Sequence, residues 1–127
     1  MALLENIATY LTAQAQIGGA SGWSHAIGYL PDSPDKIVGL FQFAGRYPDP
    51  RAGLERPGVQ VRVRASAGDY ATAQSKAYSL FDGLQALPPG TITAVRYLHA
   101  IGSPTPLGQD DSRRPEFVLN FEAGVAR

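Results

Sequence analysis

Val59-Gln60-Val61-Arg62-Val63-Arg64-Ala65 alternates apolar and polar side chains without a break. Val59, Val61, Val63 and Ala65 therefore share one face of a pleated strand, and Gln60, Arg62 and Arg64 share the other, the period-2 pattern of a strand buried on one side. The second face meets water or a partner. Ser66-Ala67-Gly68 turns the chain, and Asp69 stands where its carboxylate can accept hydrogen bonds from the free amides of a helix starting near Tyr70. Along that helix Tyr70, Ala73, Ala77, Leu80, Phe81, Leu84 and Leu87 recur at three- and four-residue spacing, a single stripe wide enough to lie on a sheet. From Pro57 to Leu87, strand, turn and covering helix form one packing unit.

Upstream of this unit the chain reads as one helix and two strands. Residues 2 to 16 place Leu4, Ile7, Ala8, Leu11 and Ala15 on one helical face, and Gly18-Gly19-Ala20-Ser21-Gly22 stops the helix. Trp23 to Leu30 reads as a short strand closed by the dense turn signal Pro31-Asp32-Ser33-Pro34-Asp35. Lys36 to Ala44 is nearly continuous in apolar residues, as expected of a strand covered on both faces or joined to an interface. Gly45 to Gly58 has no regular period and reads as a long loop rich in Arg and Tyr, residue types favoured as interface anchors.

Downstream, Pro88-Pro89-Gly90 ends the second helix, Thr91 to Ile101 reads as a strand, and Gly102 to Arg114 as a second long connection. Pro115 to Glu122 alternates Phe117, Leu119 and Phe121 against Val118, Asn120 and Glu122, the last strand, leaving Ala123 to Arg127 as a short tail. The two strands on either side of the connection pair as a long-looped hairpin. The order α-β-β-β-α-β-β offers few places for parallel crossovers. The expected fold is α+β, a mostly antiparallel sheet of about five strands with both helices on one face.

At 127 residues the chain suits a single domain, 1–127, large enough to bury a core. Eleven basic and 11 acidic residues cancel, which argues against nonspecific adhesion to nucleic acid or an anionic membrane. With no cysteine there is no disulfide, thiolate metal site or cysteine nucleophile. The first residues carry no basic segment and read as no signal peptide, and no apolar run approaches the roughly 18 residues that span a bilayer. The chain reads as soluble.

Candidate chemistry is sparse. His25 and His99, the only histidines, fall on separate strands without a carboxylate or second histidine at metal-binding spacing, and ordinary surface or structural roles are favoured. A hydrolase would need Ser24 or Ser103, a histidine and Asp110 or Asp111 to converge, and no Gly-x-Ser-x-Gly elbow is present. Asp110-Asp111 could hold a divalent cation through oxygens, but an acidic pair in a polar loop is more simply solvated. Gly18 to Gly22 follows a helix and lacks a phosphate-loop ending. Arg62 and Arg64 suit salt bridges to neighbouring acids better than nucleic acid in a neutral chain. No cofactor and no enzymatic activity are expected.

Several segments in their order resemble a known family: Pro57-Gly58-Val59-Gln60-Val61-Arg62-Val63-Arg64, the helix opened by Tyr70-Ala71-Thr72-Ala73, Ser103-Pro104-Thr105-Pro106-Leu107-Gly108-Gln109-Asp110, and Arg114-Pro115-Glu116-Phe117-Val118-Leu119-Asn120-Phe121. They are similar to the tail terminator, tail-completion or minor capsid proteins of long-tailed bacteriophages, over nearly the whole chain including the first helix and Leu30-Pro31-Asp32. The resemblance implies a structural virion protein in the tail or neck, made in the host cytoplasm. It implies a ring homo-oligomer, a hexamer, that ends the tail tube and offers a head-tail joining surface, with the major tail tube protein and a head-tail connector protein as partners and DNA only in transit through the lumen. The candidate protein-interface residues are Arg46, Tyr47, Arg51, Leu54, Arg56, Leu107, Asp110, Asp111, Arg113 and Arg114, drawn from the two long connections. Competing readings are a head-completion or connector protein of the neck and, in another class, a small α+β enzyme or ligand-binding domain. A nucleic-acid-binding module ranks last on charge.

Overall fold

The computed structural model describes residues 3–85 and 87–126. Ala2, at the start of the expected first helix, and Arg127, at the end of the expected tail, lie outside the described residues. The elements run α1 (Leu3–Ala13), β1 (Ser24–Ile27), β2 (Ile37–Asp49), β3 (Leu54–Arg64), α2 (Tyr70–Leu84), β4 (Val95–Ala100), β5 (Thr105–Gln109) and β6 (Pro115–Ala126). They form the expected α+β fold, with one strand more than the sequence pattern gives.

The sheet has the order β1-β2-β3-β6-β4, with β5 also on β6. Every pairing is antiparallel except the parallel pair β1–β2. β4 and β5 lie in line along the same side of β6. β4 runs opposite the distal half of β6, Ala100 facing Phe121 and Val95 facing Val125, and β5 opposite the proximal half, Thr105 facing Val118 and Gln109 facing Pro115. They are one edge strand interrupted at residues 101–104.

The alternation of β3 sets the layers. Val59, Val61, Val63 and Ala65 are fully buried and form one core with Val38 and Leu40 of β2, Phe117, Leu119 and Phe121 of β6, and the apolar faces of both helices. α1 contributes Leu4, Ile7, Ala8 and Leu11, and α2 contributes Ala73, Ala77, Leu80 and Leu84. The alanines let α2 come close to β3 and β6. Asp69 caps α2 by accepting from the backbone N–H of Thr72 at 3.3 Å. Both helices cover this face, and among the described residues the opposite face of the sheet carries no helix.

Several boundaries differ from expectation; β1 is shorter, Ser24–Ile27, α2 stops at Leu84, before Leu87, and four others shift for a local reason. α1 ends at Ala13, because Ala15 takes a left-handed φ of 58° and Ile17, beyond the turn, is buried in place of Ala15. Residues 45 to 58 are no irregular loop: they are the distal half of a β2–β3 hairpin, turned at residues 50–53. Register shifts between Phe43 and Arg46 and between Arg46 and Asp49 erase the period-2 signal there. Gly45 sits in the first shift with φ 66°, and a Cβ at that position would stand 2.3 Å from the Arg56 carbonyl, so only glycine fits. Thr91 to Ala94 form a turn before β4, ended by Ala94 at φ 65°. Ala123 to Ala126 continue β6, since Ala123 and Val125 are buried against the core.

β5 was hidden in the second long connection because all five of its residues are exposed and its Pro106 and Gly108 are poor strand formers.

Candidate interaction surfaces

Beyond Leu40 the second strand leaves the helix-covered body. Gln42 to Pro48 are exposed on both faces, so the apolar run ends half-way along β2. Tyr47 is 72% exposed, with the Arg46 and Arg56 guanidinium groups 5.8 and 5.7 Å from its ring centre. Arg56 pairs with Asp49 across the hairpin at 3.3 Å, and Arg46 with Glu122 at 3.5 Å. The carboxylate of Glu122 and the hydroxyl of Tyr47 hold the Arg46 pKa above its ordinary value. Arg51 is exposed in the turn, and Leu54, opposite Asp49 and Ala126, is half-buried at the start of β3. Five of the candidate interface residues thus share one arm, all but Leu54 cationic or aromatic.

The helix-free face of the sheet continues from this arm. Tyr97 lies over Gly124 and donates its hydroxyl to Glu122 at 2.6 Å, and burial together with that carboxylate raises the phenol's pKa. His99 stacks on Tyr97 with ring centres 4.5 Å apart. Gln60 donates to Asn120 at 3.1 Å, and Arg62 pairs with Glu116 at 3.4 Å, the kind of internal salt bridge favoured for it. Phe41, Phe43 and Ile101 surround the Gln60–Asn120 pair in a shallow depression.

The remaining candidates lie at the opposite end of the sheet, near the start of β2 and β6. Arg114 is only 6% exposed and binds Asp110 through Nε at 2.8 Å, Asp32 through Nη2 at 3.0 Å and Asp35 through Nη1 at 3.2 Å. Burial works against its charge, but hydrogen bonds to Asp110, Asp32 and Asp35 prevail and its pKa is raised. Beside it Arg64, 3% exposed, donates to the carbonyls of Pro31, Pro34 and Asp35 at 2.7, 2.8 and 3.1 Å. Two buried guanidinium groups pin the 31–35 loop. Asp111 and Arg113 are exposed at the adjoining turn, and Leu107 is 48% exposed in β5.

These candidates do not gather into one site. Arg46, Tyr47, Arg51, Leu54 and Arg56 sit on the distal arm, while Asp110, Asp111, Arg113 and Arg114 sit at the far end, with Arg114 and Asp110 turned to internal partners. His25 on β1 and His99 on β4 lie on opposite sides of the sheet, and the described residues contain no group of three or more His, Asp or Glu placed to hold a metal ion.

The sequence profile of a family described as bacteriophage tail terminator protein matches residues 9–127. The chain belongs to this family. A comparison with curated proteins found no match. As a tail terminator it is a structural component of the phage tail, and it associates with other proteins of the virion.

Two features of this tail terminator escape its sequence pattern. The first is the Arg64–Arg114 clamp: alternation puts Arg64 on the face away from the helices and suits it to a salt bridge, but the 31–35 loop folds over it and its hydrogen bonds go to backbone carbonyls. The second is Trp23, whose ring centre lies 5.0 and 5.2 Å from the ammonium groups of Lys36 and Lys76. Lys76 also donates to the Gln16 backbone carbonyl and, at 2.8 Å, to its side-chain oxygen, which ties α2 to the end of α1. Burial, aided by the charge of Lys36, lowers the Lys76 pKa to about 8.

Proposed function

We propose that this tail terminator forms a closed homo-oligomeric ring, a hexamer, that caps the tail tube and presents a joining surface to the head connector. A ring needs two different patches on each subunit, because a head-to-tail contact joins one patch to another and closes only by rotation. The observation that carries this reading is the distal β2–β3 arm, an exposed element bearing Tyr47, Arg46 and Arg51 away from the helix-covered body. Aromatic and Arg side chains supply most of the binding energy at protein interfaces. The Asp111–Arg113 turn, at the other end of the strands, suits contact with a second type of partner, so one end would meet the tube and the other the connector. DNA would pass through the lumen without being gripped, in keeping with the chain's net charge of zero.

The test is the mass of the purified protein across concentration, alone and then mixed with its tail tube protein. A discrete ring, free or on the tube, is the expected result. A monomer that ignores the tube at every concentration would overturn the reading.

A further inference from the structure

Two edges of the sheet are open, and the register puts them at the same height. β1 covers only Ile37 to Leu40 of β2, so β2 from Phe41 onward has no strand on that side among the described residues. The carbonyl of Leu40 accepts from Gly28 on the β1 side, at 2.8 Å. Backbone polar groups alternate sides along a strand, so those of Gln42 and Ala44 also point to the β1 side, where no strand covers them. At the other edge Ile101 donates to the Asn120 carbonyl of β6 at 2.8 Å, so by the same alternation Leu98 and Ala100 of β4 point outward.

The pairings chain these edges together. Gln42 faces Val59, Val59 faces Phe121 and Phe121 faces Ala100; one row on, Phe43, Gly58, Glu122 and His99 line up in the same way. The uncovered part of β2 and the whole of β4 therefore lie on the same rows. The lower rows differ: Ala26 of β1 and Thr105 of β5 end the row through Gly39, Arg62 and Val118. There both edges are blunted in the ways proteins use against unwanted pairing, β1 by being four residues long and β5 by Pro106. The rows from Phe41 to Ala44 and from Leu98 to Ile101 carry no proline on either edge.

We infer that one copy of this chain continues its sheet into the next, the free edge of β2 pairing with β4 of the neighbouring copy. The partner is a second copy because the chain carries both halves of the contact, matched in height. Polarity agrees: β2 and β6 point the same way and β4 the opposite way. Rotation about an axis along the strands keeps those directions and brings β4 antiparallel to the next β2, with no slide along the axis. Such a contact is heterologous and propagates around a ring. The inference rests on the ring reading and adds which strands carry it.

The test uses Ala44→Pro and Ala100→Pro, each removing one outward N–H on a different edge while leaving the bonds to β3 or β6 intact. Each variant alone should lose the oligomer at concentrations where the wild type assembles, with the far-ultraviolet circular dichroism of the fold retained. An equimolar mixture should give a discrete heterodimer, since one intact β2 edge and one intact β4 edge remain. If a proline variant fails to fold, the double variant Phe43→Lys/His99→Lys sets like charges against each other in every such contact and should also lose the oligomer. Wild-type assembly by all the folded variants would overturn the strand pairing while leaving the ring standing. A wild type that never assembles, with or without the tube protein, overturns both.

Discussion

Asp110 receives two hydrogen bonds from Arg114, one from its backbone N–H at 2.9 Å and one from Nε at 2.8 Å, and a third from the N–H of Ser112 at 3.0 Å. The turn into β6 is closed around one carboxylate. Burial alone would raise that carboxyl's pKa, but the bonds to its charged form outweigh burial and hold it below the ordinary value. A carboxyl depressed by folding stabilises the protein above its unfolded pKa, near 4, and loses that contribution as pH falls through the folded value. Acid unfolding of the wild type should therefore show a component below about pH 4 that Asp110→Asn lacks. Parallel stability curves for the two proteins in that range would show that Asp110 is not held in this way.

Arg64 tests the other half of the clamp. Its three hydrogen bonds go to carbonyls of the 31–35 loop, and its charge lies beside that of Arg114; burial first and this neighbour second lower its pKa. Arg64→Met keeps the stem and removes the fork. The loss of charged hydrogen bonds, offset by water reaching the freed carbonyls, should cost about 2 kcal/mol in denaturant unfolding. Proteolysis within residues 31–35 should rise in the same variant. An unchanged midpoint and unchanged cleavage would mean that the loop is held by other contacts.

The alternation through Val59 and Arg64 and the stripe through Leu84 made the central strand, its covering helix and the helix-bearing face legible, because both patterns come from one-sided burial. The distal arm was not legible, since a strand exposed on both faces and shifted in register at Gly45 leaves no period to read. Its candidate residues are nonetheless marked by type, Tyr47 and three arginines being favoured as interface anchors. The clamp was half-legible. Arg113-Arg114 and Asp110-Asp111 stood out as charges, but burial of Arg114 depends on the 31–35 loop, remote in sequence.

Leu80 of α2 is fully buried, whereas Phe81 beside it is only partly so. Leu80→Ala should destabilise the protein by about 2 to 5 kcal/mol through lost burial and the cavity left between helix and sheet. Phe81→Ala should cost less, and the ordering of the two is the check. Near-zero loss at Leu80 would contradict the packing of α2 on the sheet.

Burial makes Lys76 an easily deprotonated lysine. Its pKa of about 8 lies below the unfolded value near 10.4, so burial of the ammonium group disfavours folding at low pH and this penalty lifts as pH rises between the two values. The stability of the wild type should therefore gain from this group between about pH 8 and 10, a gain absent in Lys76→Met. Carbon-13 labelling of the lysine amines should show one resonance with a midpoint near 8. Lysine resonances that all titrate above 10 would contradict the placement of Lys76 against Trp23 and Gln16.

Tyr47 and Arg51 separate assembly from stability. Both side chains are exposed on the distal arm, and no part of the core depends on either. Tyr47→Ala removes an aromatic surface flanked by Arg46 and Arg56, and Arg51→Ala removes the charge at the hairpin turn. Exposed positions away from the core change folding stability by about 0.5 kcal/mol or less, whereas truncating an aromatic or Arg interface anchor often costs 2 kcal/mol or more in binding. The expected outcome is wild-type melting behaviour with a weakened ring and a lower yield of joined particles, read by solution mass and by particle counts. Normal rings and normal particle yield in both variants would remove the arm's side chains from the contact and leave its backbone edge to carry assembly alone.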